Sequence, residues 1–219
     1  LNLEQGSFLA PLLTTFENGV NVIGSNPIHP IIAFGGGEGG RIECWDPRDR
    51  TRAAIFDIPS SVLASHPAIA RAFKQAPLPL EISAMRFDDT GMNLSLGTNN
   101  GQVLTYDIRA GAPFFAKDHR YGTPINSIKY HEASGKLITA DSKMLRIWDK
   151  KTGDAFTSIA APASINDVCL VGDSGMIMMA CESPQMHAFY VPSLGAVPDW
   201  CAHLEGLTEE MEETKQNEL

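Results

Sequence analysis

Residues 135–149 read GKLITADSKMLRIWD: two short β-rich runs split by a polar turn and closing on Trp148-Asp149. Three other stretches end alike, GRIECWD at 40–46, GQVLTYD at 101–107 and QMHAFYV at 185–191. Their terminal aromatics, Trp45, Tyr106, Trp148 and Tyr190, lie 61, 42 and 42 residues apart, so only the first gap holds extra chain. Upstream of each comes another alternating run: VNVI from 20, ISAMRF from 82, INSIKY from 125 and INDVCL from 165. Alternation with period two is the mark of a half-buried strand. Turn-formers such as DDTG, EASG and GDSG separate the first run of a unit from its second. A fourth run follows each aromatic: RAAIFDI, PFFAKD, AFTSIA and, more weakly, VPDWCAHL.

Four strands repeated at about 40–45 residues, with a Trp-Asp ending, specify a propeller blade. The expected fold is all-β: a WD-repeat β-propeller fragment with four four-stranded blades over 17–59, 80–119, 120–161 and 162–204. The stretch 60–79, with its prolines, reads as an insertion loop. LNLEQGSFL aligns with WDKKTGDAF, so residues 1–16 are expected to hold the closing strand of a preceding blade, and the piece to belong to a larger ring. The end, 205–219, reads as an acidic helical tail: Thr208 caps, Glu209 and Glu210 suit the positive helix end, and Leu204, Leu207 and Met211 form an apolar stripe.

Charge and cysteines exclude several classes of function. The net charge is −9, of which the tail holds −5 and the other 204 residues −4. Bulk attraction to nucleic acid is therefore not expected, which leaves local basic patches. Cys44, Cys169, Cys181 and Cys201 form no C-x-x-C pair, so packed, reduced thiols are expected in place of a metal site. No apolar run reaches the ~20 residues of a membrane span. No cofactor, small-molecule substrate or membrane partner is expected.

Gly35, Gly37 and Gly40 fit G-x-G-x-x-G behind an apolar run. A phosphate cradle needs a helix to follow, whose N-terminus supplies amides and dipole. RIECWDPRD follows instead, so the stretch reads as a hairpin turn. Arg48, Arg50 and Arg52 alternate in DPRDRTR and are candidate RNA or partner contacts, against a solvated turn balanced by Asp46, Asp49 and Asp57. Lys143, Lys150 and Lys151, near Arg146, form a second cluster with the same two readings. Trp45, Asp46, Tyr106, Asp107, Asp141, Trp148 and Asp149 are structural blade markers, with His119 the nearest histidine to a blade-locking position. His187 is expected to pack at the strand place of Ile42, Val103 and Leu145. No nucleophile, base and orienting group converge in the sequence, so no catalytic residue is assigned.

The segments YDIRAGAPFFAKDHRYGTPINSIKYH, ITADSKMLRIWDKKTGDAFTSI and, most specifically, SLGAVPDWCAHLEGLTEEMEE resemble the nucleolar protein 10 family. These are WD-repeat ribosome-biogenesis factors, known in yeast as an essential nuclear protein. The resemblance implies a nucleolar, non-catalytic scaffold of the small-subunit processome (the 90S pre-ribosome), supporting pre-18S rRNA processing and 40S assembly. Implied partners are other processome proteins, the U3 small nucleolar ribonucleoprotein and, directly or indirectly, pre-ribosomal RNA. A generic WD-repeat adaptor, such as a ubiquitin-ligase receptor or a trafficking coat, is the alternative.

Overall fold

The computed structural model describes residues 3–8, 10–37, 39–75 and 79–201. The first blade is β1 (Val20–Ser25), β2 (Ile32–Gly36), β3 (Arg41–Asp46) and β4 (Thr51–Asp57). The second is β5 (Ile82–Phe87), β6 (Asn93–Thr98), β7 (Gln102–Asp107) and β8 (Pro113–Asp118). β9 (Ser127–His131), β10 (Lys136–Ala140), β11 (Met144–Asp149) and β12 (Ala155–Ala160) make the third, and β13 (Ile165–Leu170), β14 (Met176–Cys181) and β15 (Met186–Tyr190) the fourth. Strands follow chain order in every antiparallel sheet, and the first strands of successive blades lie side by side. The four blades leave the ring open, as a propeller fragment does.

Both faces of an inner blade are covered by neighbours, so apolar residues are needed on both. One cluster joins Ala33, Ile42 and Cys44 of the first blade to Ile82, Phe87, Leu94 and Tyr106 of the second. Val103 and Phe115 pack with Ile125, Leu137 and Trp148 between the second and third. Ile138, Ala140, Leu145 and Ile147 meet Ile165, Val168, Ile177 and Met179 between the third and fourth.

Pairing register corrects the fourth aromatic. Ile32 pairs with Trp45, Leu94 with Tyr106 and Leu137 with Trp148; at the matching place Ile177 pairs with Phe189, so Tyr190 falls one residue late. Two adjacent aromatics satisfy the same spacing, and only the ladder separates them. His187 thereby takes the place of Glu43 and Arg146, and Met186 the place of Ile42, Val103 and Leu145.

The expected insertion loop over 60–79 contains helix instead. α1 (Ile58–Ser65) and α2 (Pro67–Gln75) sit against β4 and β8. Pro59 and Pro67 misled because they stand at helix starts, where a missing N–H costs nothing. Asp57 caps α1 by accepting from the Ser60 N–H at 3.4 Å. Ile58 and Val62 are fully buried among Ile42, Phe56 and Tyr106, filling the wedge between the two outer strands.

Two expected strands are not seen among the described residues. Residues 3–6 form a turn and Ser7 a lone bridge. The chain beyond β15 turns back over the 172–175 turn: Val191 N–H donates to Gly175 O at 2.8 Å and Gly175 N–H to Ala196 O at 3.1 Å. Residues 197–201 are thus carried off the fourth-strand lane, with Asp199–Cys201 a single 3-10 turn, and the rest of VPDWCAHL lies outside the described residues. The acidic tail lies outside the described residues. Cys44 and Cys181 are buried, but Cys169 is exposed on β13 and so is not packed.

Candidate functional site

The polar residues singled out by the sequence fall into two kinds, buried locks and exposed turns. The third blade holds the most complete lock. Trp148 Nε1–H donates to Thr139 Oγ1 at 2.8 Å, and Thr139 Oγ1 lies 2.8 Å from His119 Nε2. His119 Nδ1 is 2.9 Å from Asp141 Oδ2, and the other Asp141 oxygen accepts the N–H groups of Lys143 and Met144 at 2.6 and 2.7 Å. A neutral ring with its proton on Nδ1 satisfies every atom: indole to hydroxyl, hydroxyl to imidazole, imidazole to carboxylate. Burial pushes the Asp141 carboxyl up, but the hydrogen bonds from His119 and the two amides outweigh it and hold the acid below its ordinary range.

Thr, His and Asp in sequence contact resemble a nucleophile–base–acid set. Here His119, Thr139 and Asp141 are all 0% exposed, and the threonine oxygen is already occupied by the indole. The arrangement ties β10, β11, the preceding connection and the 141–143 turn together. Among the described residues no three His, Cys, Asp or Glu groups are placed to hold a metal ion.

The first blade solves the same problem with other residues. Phe34 stands where Thr139 does, so Trp45 Nε1–H turns to its own strand and donates to Glu43 Oε2 at 2.8 Å. Glu43 is 1% exposed, and its other oxygen accepts from the Thr15 N–H at 3.1 Å, the Thr15 hydroxyl, and Arg52 Nη1 at 3.5 Å. Desolvation raises this acid, but Thr15, Trp45 and Arg52 together hold it below the ordinary value. In the second blade the aromatic is Tyr106, whose OH lies 2.7 Å from Ser61 Oγ on α1, while Ser61 donates to Ile58 O. Burial pushes the Tyr106 phenol up to about 12. In the fourth blade Met179 and Cys181 replace Thr139 and Asp141, and the lock gives way to apolar packing.

Sheet topology sorts the basic candidates. Lys143 lies on a second-to-third-strand turn, whereas Arg48, Arg50, Lys150 and Lys151 lie on third-to-fourth-strand turns at the opposite end of the sheets. The 143–151 cluster is therefore not one patch. β11 separates its members, because a strand carries its two flanking turns to opposite ends. Lys143 Nζ sits 5.4 Å from the Tyr121 ring centre, Lys150 pairs with Glu132, and Arg146 Nη2 donates to His119 O at 3.2 Å.

At the other end one device recurs. Asp46 accepts Arg48 N–H at 2.9 Å, Asp107 accepts Arg109 N–H at 2.9 Å, and Asp149 accepts Lys151 N–H at 2.9 Å. Such Asx turns fix a basic residue two places beyond each blade's terminal acid. Arg48 and Arg109 also fold their guanidinium groups back onto the same acid, at 2.8 and 2.6 Å. Those contacts hold Asp46 and Asp107 down to about 2; for Asp149, amides of Thr152 and Lys151 and then Lys136 do so. Arg52 points instead to Glu43. Arg50, exposed at φ +54°, has no charged partner among the described residues. Arg109 escaped the sequence reading, although D-x-R repeats at both turns. Glu43 escaped too, and its only signal is an acid between Ile42 and Cys44 on a buried strand.

The glycine stretch is a turn. Gly39 N–H donates to Leu80 O at 3.0 Å, Gly40 adopts φ +61°, and β3 follows directly. A side chain at Gly40 would lie 2.5 Å from Leu80, and the start of α1 that borders the loop is already occupied, Ile58 N–H donating to Gly40 O at 3.1 Å and Ser60 N–H to Asp57.

Comparison with known proteins matches residues 1–215 to the family described as nucleolar protein 10-like, N-terminal domain. Nucleolar protein 10 of Xenopus laevis is 43% identical over 217 residues, 99% of this chain and 30% of that protein. Nucleolar protein 10 of Homo sapiens is 41% identical over 218 residues, and ribosome biogenesis protein ENP2 of Saccharomyces cerevisiae 35% over 216. The chain spans about 30% of the length of such relatives. Among solved structures, a chain of the mitotic checkpoint complex superposes with a TM-score of 0.63 at 18% identity, covering 80% of this chain and 49% of that one. The computationally designed Ika4 protein gives 0.62 at 14% identity, covering 84% and 99%. At such identities these two speak for the fold alone.

Proposed function

Because this chain belongs to the nucleolar protein 10-like family, we propose that it is a propeller segment of a nucleolar ribosome-biogenesis factor and acts there as a non-catalytic scaffold. Within that reading it serves the small-subunit processome, beside the U3 small nucleolar ribonucleoprotein, and supports pre-18S rRNA processing and 40S assembly. It works inside a longer propeller, in keeping with relatives more than three times its matched length. The observation that carries the scaffold reading is the use of the buried polar groups. His119, Thr139, Asp141 and Glu43 are all spent on fixing blades, while basic and acidic side chains remain on the turns at both sheet ends. Turns on a rigid scaffold are where partners are met.

Depleting the protein should stall pre-18S rRNA maturation, and the protein should co-sediment with early pre-ribosomes. Unchanged rRNA processing together with migration as a free protein would sink the proposal. Partner or RNA contact is assigned to the turn end bearing Arg48, Arg50 and Lys151, which crosslinking within purified pre-ribosomes reads residue by residue.

A further inference from the structure

The two ends of the sheets use their polar groups differently. At the third-to-fourth-strand turns, Arg48 and Arg109 are folded onto their own aspartates. At the opposite end, the connection from β8 to β9 carries Arg120, Tyr121, Gly122 and Thr123 between the buried His119 and Ile125. That connection is pinned at both ends. His119 N–H donates to Gly101 O at 2.9 Å, Arg146 Nη2 to His119 O at 3.2 Å, and Ile125 N–H to Thr98 O at 3.1 Å. Between the pins only the Arg120 N–H finds an acceptor among the described residues, Asp118 Oδ1 at 2.6 Å.

Unsatisfied polar atoms collect around this span. Four buried side-chain atoms lack a partner among the described residues, and three of them are here: Thr123 Oγ1, Asn100 Nδ2 and Arg146 Nε. Asn100 is 8% exposed and precedes Gly101, where a Cβ would lie 3.0 Å from Thr123 O, so its turn packs against the connection. Buried polar groups are nearly always paired, so a cluster of orphans calls for a partner. The exposed side chains match. The Tyr121 ring is 46% exposed, and Lys143 Nζ stands 5.4 Å from its centre. Arg120 is exposed and has no ion pair among the described residues. Donors and cations dominate, since Asp118 holds the Arg120 amide and Asp141 is spent inside the lock.

We propose that this connection, flanked by the 100–101 turn and Lys143, is a binding site for single-stranded RNA. A base stacks on the Tyr121 ring, and Arg120 and Lys143 hold neighbouring phosphates. The orphaned Asn100, Thr123 and Arg146 groups donate to phosphate or sugar oxygens as the span between the pins settles on the strand. An acidic peptide would use the two cations but has no need of an exposed aromatic ring beside them. A base does, because every base has a π-face to stack. The choice of RNA rests on the ribosome-biogenesis reading as well as on Tyr121, but binding can be measured without a pre-ribosome, so either can fail alone.

The test uses the full-length polypeptide, purified away from pre-ribosomes, and an oligouridylate of about 12 nucleotides carrying photoreactive 4-thiouridine. The probe should crosslink to the 119–125 peptide, which isolates this site from any other part of the polypeptide that binds RNA. At subsaturating protein, Tyr121→Ala should lower that yield roughly tenfold, as loss of one stacked base does, and Tyr121→Phe should restore it. Lys143→Ala and Arg120→Gly, the latter tolerating the φ of +68°, should each flatten the salt dependence by about 0.7 in log K per log salt. Arg120, Tyr121 and Lys143 are exposed, so an unchanged Trp148 fluorescence controls for folding. No crosslink at this peptide, or a yield that all these variants leave unchanged, would overturn the proposal and leave the orphaned groups to water. Polyglutamate binding that falls with Lys143→Ala and Arg120→Gly but not with Tyr121→Ala would overturn it in favour of an acidic protein partner. Either failure would leave pre-18S processing, and with it the scaffold reading, untouched.

Discussion

The first and third blades tie a tryptophan at the same strand position, yet their locks share only the residue type of the tryptophan. In the third, Trp148 reaches its carboxylate through a threonine and a histidine, and Asp141 also holds two turn amides. In the first, Trp45 meets Glu43 directly, and the helpers come from outside the sheet core: Thr15 from the preceding segment and Arg52 from the rim. The position demands only an acceptor for a largely enclosed indole N–H, because an unpaired one is costly. What differs is how many elements the acceptor binds together. The third lock joins a connection, a turn and two strands, so its loss should be the more damaging.

The largest expected effect is therefore Asp141→Ala. It strands the His119 Nδ1–H and frees two amides in a fully buried site, and should cost about 3–5 kcal/mol, since each buried donor left unpaired costs about 1–3 kcal/mol. Chemical denaturation measures it, and a loss below that of the first-blade variant would break the ranking. Glu43→Gln keeps the shape but cannot both accept from the indole and accept from Thr15 and Arg52 with the same two atoms. A cost of roughly 1–3 kcal/mol is expected.

Acid acts on these buried locks as well as on the exposed Asp46, Asp107 and Asp149, whose smaller contribution solvent screens. Asp141 and Glu43 are both depressed in the fold, so their contribution is fully present above the ordinary carboxylate range. It is lost as pH falls through the lower folded values. Stability measured between pH 7 and pH 3 should fall for the parent and fall less steeply in the double variant Asp141→Asn, Glu43→Gln. An unchanged slope would mean that neither acid is ionised as described.

The second blade supplies a neutral control. Tyr106→Phe removes one hydrogen bond to Ser61 and leaves the Phe56 edge contact, ring centres 5.6 Å apart. A loss of about 0.5–1.5 kcal/mol is expected, without pH dependence below pH 9.

The locks also show what a sequence carries openly. Strands were legible because alternation and turns are local, and the four sheets follow from them. The Asp141 lock was half-legible, since its aspartate sits in a turn before a Trp-Asp strand. Glu43 was not, because its partners lie 28 residues back and nine ahead, on elements whose contact only the fold creates. Phe189 and Tyr190 could not be told apart by spacing, and α1 hid behind prolines that start helices as readily as they fill loops. In each case the missing information was a pairing between distant strands or a packing wedge, which no window of sequence contains.

The smallest effect on stability separates the buried locks from the exposed turns. Arg48 folds onto Asp46 through both its side chain and its N–H, and these contacts hold the Asp46 carboxyl at about 2. Arg48→Ala should let Asp46 rise toward its ordinary value in a carbon-detected NMR titration and leave the melting temperature unchanged, since solvent and salt screen an exposed pair. The same geometry sets a ranking for partner contact. A phosphate must draw Arg48 away from Asp46 before it can use the guanidinium, whereas Arg50 carries no such tie. If this turn end meets pre-ribosomal RNA, Arg50→Ala should weaken association with pre-ribosomes more than Arg48→Ala does. The reverse order would show that the Asp46–Arg48 pair is itself what the partner reads.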